Sequence, residues 1–214
     1  MKSNFLKTLF AGIILSTSCV LNIANAGLIT SISSGAATHE FISSVYYTAG
    51  TIAESGITYS STSEYSLYGY EGAYKFNPNG TWNSMDMIGL NESIGDLTIE
   101  FDSAVSEVLA FVNYNPKWGG IPIMSIFDES FTLIESHTLN FDTGAADNSG
   151  FDLGFNSASN TIKYIQFSNA FIGFNNLRSF AIQAPTSDVS APSNTAIFAF
   201  GLMGLGLRRF KKQA

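Results

Sequence analysis

The chain holds few side chains able to do covalent chemistry. Its histidines are His39 and His137, its single thiol is Cys19, and seventeen Asp and Glu are scattered between the ends. A nucleophilic hydrolase needs a nucleophile beside a base, and a glycosidase needs two carboxylates about 5 or about 6.5–9.5 Å apart across a sugar. No Gly-x-Ser-x-Gly elbow accompanies either histidine. His39 and His137 are therefore expected as surface or strand residues, and no catalytic residue and no cofactor are assigned. A secreted glycan-active hydrolase is the alternative that seventeen acids leave open.

Two short stretches have residue types suited to binding instead. Asp142, Asp147 and Asp152 lie in Asp-Thr-Gly-Ala-Ala-Asp-Asn-Ser-Gly-Phe-Asp, a Gly-containing turn of the oxygen donors that calcium prefers. The spacing is not that of an EF-hand, and an ordinary acidic turn is the plainer reading. Tyr114 and Trp118 stand in "NYNPKWGG", where an aromatic face beside Gly-Gly could stack on a sugar ring. The competing reading of these rings, and of Tyr65, Tyr68, Tyr70, Tyr74 and Trp82 before them, is that they cover a sheet edge. Cys19 falls in an apolar run behind Ser16-Thr17-Ser18, unlike a lipoprotein attachment site; a chain without that run has no thiol for disulfides, zinc or catalysis.

The elements that must position these groups read as strands. Runs at Phe41–Tyr47, Ile57–Ser60, Tyr65–Tyr70, Leu97–Phe101, Val105–Asn113, Ile121–Phe127, Phe131–Leu139, Thr161–Phe167 and Leu177–Ile182 are aromatic and β-branched, and no internal stretch holds a 3.6-residue period over three turns. Alternation places Leu97, Ile99 and Phe101 on one face. Val108–Val112 and Ile121–Ile126 are more continuous and suit central strands, with Pro122 confined to a strand start or edge. Asn77-Pro78-Asn79-Gly80 and Asp128-Glu129-Ser130 read as turns between strands. An all-β, antiparallel two-sheet sandwich over residues 27–185 is the economical solution.

Charge is segregated. Lys2 and Lys7 open the chain, and Arg208, Arg209, Lys211 and Lys212 close it. That leaves Lys75, Lys117, Lys163 and Arg178 against all seventeen acids. Such a surface repels nucleic acid, whose binding needs Lys and Arg to displace counterions.

Both ends read as addresses. Residues 1–26 have a basic start, an apolar stretch from Leu9 to Leu15, and Ala24-Asn25-Ala26, the pattern of a secretory signal helix removed by signal peptidase. At the other end, a linker over 186–194 leads to a sorting helix and basic tail over 195–214. The thirteen uncharged residues from Thr195 to Leu207 reach about 20 Å as a helix, short of a bilayer core of about 30 Å. Arg208, Arg209 and the lysines beyond would hold the terminus in the cytoplasm, and an envelope protein that keeps this tail is the second alternative beside the hydrolase.

Val189-Ser190-Ala191-Pro192, the Gly-Leu-Gly-Leu end of the apolar run and the Arg-Arg cap resemble a PEP-CTERM sorting signal. The usual Val-Pro-Glu-Pro stands here as Val-Ser-Ala-Pro. That resemblance implies an exported precursor held in the membrane by its tail, cleaved by an exosortase, and released to the surface or exopolysaccharide matrix. The segments "LTIEFDSAVSEVLAFVNYN", "IPIMSIFDESFTLIESHTLNF", "SGFDLGF", "IKYIQFSN" and "FNNLRSFAI" are similar to the jelly-roll, galactose-binding-like sandwiches found in PEP-CTERM proteins. They imply a non-enzymatic domain with weak polysaccharide binding as its expected activity.

Overall fold

The computed structural model describes residues 26–183. The secretory segment, the linker with Val189–Pro192, and the tail with Arg208 and Arg209 lie outside the described residues.

Two antiparallel sheets share one core. The six-stranded sheet runs β13 (Leu133–Thr138), β12 (Ile123–Phe127), β15 (Ile162–Ser168), β10 (Asp96–Val105), β5 (Ile57–Ser61), β4 (Ile52–Glu54). The eight-stranded sheet runs β1 (Gly27–Ile29), β14 (Phe151–Asn156), β11 (Glu107–Asn113), β16 (Gly173–Phe180), β9 (Met87–Gly89), β6 (Leu67–Tyr70), β3 (Val45–Tyr46), with β2 (Ala37–Thr38) also paired to β16. A separate hairpin joins β7 (Tyr74–Lys75) to β8 (Thr81–Trp82).

Alternation produces the core directly. Leu97, Ile99 and Phe101 of β10 are buried, while Thr98 and Glu100 between them are not. They meet Val108, Ala110, Val112, Phe155 and Leu177 of the opposite sheet in one apolar cluster. Phe167 of β15 stacks on Phe174 of β16 with centroids 4.3 Å apart, one ring from each sheet. The continuous run at Val108–Val112 is a central strand, flanked by β14 and β16. Its outer side is covered too. Leu67, Tyr74, Phe76, Trp82 and Met87 form a second, smaller core that reaches Phe111.

Several boundaries differ from the sequence reading, each for a physical reason. The run taken as Val105–Asn113 is divided at Ser106, where the chain leaves one sheet for the other; its N–H and hydroxyl both donate to the Phe180 carbonyl. Phe41–Tyr47 shortens to Val45–Tyr46. The last strand starts at Gly173 rather than Leu177. Asn175-Asn176 forms a bulge within it, with Asn176 at φ 50° taking up the extra residue opposite β11. Phe151–Asn156, part of which the acidic turn was expected to occupy, is a strand. Pro122 does precede its strand, and the 128–130 connection is a hairpin.

Candidate functional site

β11 ends at Asn113, and the chain continues as Tyr114-Asn115 into the Pro116–Gly120 loop. Buried amides secure this exit. Asn79, fully buried in the 77–80 turn, donates through Nδ2 to the Tyr114 carbonyl at 3.2 Å and the Phe141 carbonyl at 3.4 Å. Asn113 answers by donating to the Asn79 carbonyl at 2.8 Å and the Ser149 carbonyl at 3.0 Å. Gly80, at φ 86°, comes so close to the 141–149 loop that a Cβ would lie 2.1 Å from the Ala146 carbonyl oxygen. Buried carbonyls are thus satisfied by side chains, as a loop carried into an interior requires.

On this base stands an open cleft of about 500 Å³, lined by Tyr114, Asn115, Trp118, Ile121, Thr138 and Asn140 among others. Tyr114 is its floor. The ring is 4 % exposed, edge-on to Phe141, and its hydroxyl donates to the Phe141 carbonyl at 3.0 Å while accepting the Phe141 N–H at 3.1 Å. Trp118 is its rim and is 62 % exposed. Gly119, at φ 111°, lets the loop return against Ser93 and Ala170, where a Cβ would fall within 2.7 Å of backbone. Gly120 N–H then donates to the Ser93 carbonyl at 2.9 Å. The sequence reading named both rings, and the fold brings them into one cleft in different roles: Trp118 offers a face, whereas Tyr114 is anchored and buried.

Asn115, Asn140 and Thr138 were missed. The signal was present in Asn113-Tyr114-Asn115. Two amides alternating with an aromatic where an apolar run stops mark a strand end that needs polar partners inside the fold.

The remaining candidates lie apart. Asp142 Oδ1 accepts the Gly144 N–H at 2.7 Å, closing a local turn; Asp152 of β14 pairs with Arg178 of β16 at 2.9 Å across the intervening β11; Asp147 is exposed. Among the described residues no group of three or more His, Cys, Asp or Glu is placed to hold a metal ion. Trp82 is fully buried with its Nε1–H on the Ser149 carbonyl at 2.6 Å, and Tyr68 and Tyr74 are buried as well, so these rings are core, while Tyr65 remains exposed. Burial pushes the Tyr74 hydroxyl pKa up, assisted by Tyr70 and Tyr47.

His39 corrects an expectation. It is not on the surface but 8 % exposed, with Nδ1 2.6 Å from the Ser55 carbonyl and Nε2 2.8 Å from Ser179 Oγ. Serine beside imidazole is the connectivity of an activated nucleophile. Here Ser179 is itself buried, inside a strand paired on both sides, so the pair fastens the interior. His137 lies on the edge strand β13, as expected.

No protein-family model matches the chain, and no curated protein matches it. Among solved structures, a His 62 mutant of the lectin binding domain of Lectinolysin complexed with Lewis b is 8% identical, with a TM-score of 0.31 over 45% of this chain and 72% of that one. A Streptococcus pneumoniae fucose binding module, SpX-3, is 7% identical, with a TM-score of 0.29 over 45% of this chain and 73% of that one. Likeness at this level defines no common topology.

Proposed function

We propose that this is an exported, non-enzymatic surface or matrix protein whose sandwich holds polysaccharide in the Trp118 cleft. The observation that carries the reading is the exposed indole at the rim of an open cleft whose floor is fixed. An aromatic face covers the C–H side of a sugar while neighbouring amides and hydroxyls meet its polar edge, an arrangement suited to weak, reversible contact. Export follows from the secretory pattern of residues 1–26. Sorting by an exosortase follows from the Val189–Pro192 motif and the Arg208-Arg209 cap, which resemble the PEP-CTERM signal.

Co-sedimentation with insoluble polysaccharides tests the binding. Trp118→Ala should weaken retention about tenfold, the equivalent of roughly 1.4 kcal/mol, without any soluble sugar being released. Equal retention of the variant removes the cleft from the account, and released sugar removes the non-enzymatic reading. Intact-mass measurement of the protein recovered outside the cell tests the sorting. Loss of the residues beyond the 189–192 motif is expected; a full-length tail on the final product sinks it.

A further inference from the structure

The lining of the cleft points to a narrower ligand class, an inference that rests on the polysaccharide reading above. Asn115 is 2 % exposed. Its backbone N–H donates to the Ala170 carbonyl at 3.0 Å, and its Oδ1 accepts the Lys117 N–H at 3.0 Å, which orients the carboxamide. No acceptor among the described residues takes the Nδ2–H. Among the described residues two side-chain polar atoms are both sealed and unpartnered, Tyr68 Oη and Arg178 Nε, and Asn115 Nδ2 is not one of them. A residue almost wholly enclosed therefore keeps one donor that can be reached, and it lines the cleft that Trp118 rims. Burying an amide donor without an acceptor is costly, so a donor kept reachable here is suited to a partner from solution.

Charge settles the kind of partner. No Asp, Glu, Lys, Arg or His lines the cleft, and its polar side chains are Asn115, Thr138 and Asn140. Lys117 belongs to the rim loop without lining the cleft, and Glu92 lies on the loop packed beside it. A uronate or sulfated polymer would find no cation built into this site and would approach a strongly acidic surface. A neutral polymer escapes both penalties.

We propose that the cleft binds neutral hexopyranose polymers, with a sugar C–H face on Trp118 and a sugar hydroxyl oxygen accepting from Asn115 Nδ2. Affinity electrophoresis of the full chain in mild detergent, through gels carrying a neutral glucan, a neutral mannan or the polyuronate alginate, reads this out. At least one neutral polymer should retard the chain tenfold more strongly than alginate, and retardation should persist in high salt, because no ion pair is involved. Asn115→Asp keeps the acceptor for the Lys117 N–H and removes the donor; it should cost about tenfold on the neutral polymer when measured below the variant's own melting transition, which the buried carboxylate is expected to lower. Retardation by alginate alone, lost in high salt, overturns the neutral assignment while leaving the cleft reading intact. Retardation by neutral polymer that survives Asn115→Asp removes Asn115 as the donor. If no polymer retards the chain, both readings fall. The comparison of polymers on the unmodified chain stands even if the variant is poorly folded.

Discussion

The Ser55 carbonyl fixes the tautomer through which His39 meets Ser179. A carbonyl can only accept, so Nδ1 carries the proton and Nε2 accepts from the Ser179 hydroxyl. Ser55 lies in the β4–β5 turn and Ser179 in β16, so one neutral imidazole joins the two sheets.

Stability should therefore fall in acid through His39. Burial holds its pKa below the ordinary 6.5, against the opposing pull of the Ser55 carbonyl and Asp102. The unfolded chain then takes up the proton first as pH drops. The contribution is complete above 6.5 and is lost as pH falls through that value toward the lowered folded one. The urea midpoint should drop between about pH 7 and about pH 5, and His39→Gln should flatten that slope while lowering the midpoint at neutral pH. An identical slope in the variant would assign the effect elsewhere.

The two tryptophans should behave as opposites. Trp82→Ala removes a fully buried ring and should cost about 3–5 kcal/mol, whereas Trp118→Ala should change stability by less than about 0.5 kcal/mol. Fluorescence separates them without unfolding. Trp118→Phe should leave blue-shifted emission that acrylamide barely quenches, and Trp82→Phe should leave emission that it quenches readily.

Two glycines with similar backbone angles isolate the cost of crowding. Gly144, at φ 67°, has nothing within 4 Å of a built Cβ, so Gly144→Ala should cost only the left-handed penalty of about 1–2 kcal/mol. Gly80→Ala adds a clash with the Ala146 carbonyl and should cost distinctly more in chemical denaturation. Equal costs would mean that the 141–149 loop moves away freely.

Calcium should leave the melting temperature unchanged relative to chelator. Asp142 is occupied with its own turn and Asp152 with Arg178, so the three carboxylates of that stretch do not converge. A calcium-dependent rise abolished by Asp147→Asn would reverse this.

What could be read in advance followed the period of two. Leu97, Ile99 and Phe101 were placed correctly because each faces a single core, and the 128–130 hairpin because its turn chemistry is local. The failures share a cause: a partner far along the chain. Nothing near Ser106 says that the chain must change sheets there, since the reason is the Phe180 carbonyl. Nothing local to Asn175-Asn176 announces a bulge until β11 lies beside it, and His39 looks like a surface residue until Ser179 is brought up to it. The Trp118 rim was legible from an aromatic beside Gly-Gly. The Asn115 donor was not, because its value depends on which neighbours leave it unused.

Gly27 is zipped to Asn156, so the first strand of the domain finds its seat only after β14 has been delivered. Joining such distant stretches delays the final closure, because the entropy of the long intervening loop must be overcome before the contact rewards it. On the proposed export route, a chain threaded across a membrane from its N-terminus would thus stay pliable until most of the domain had emerged, and would lock into shape on the far side.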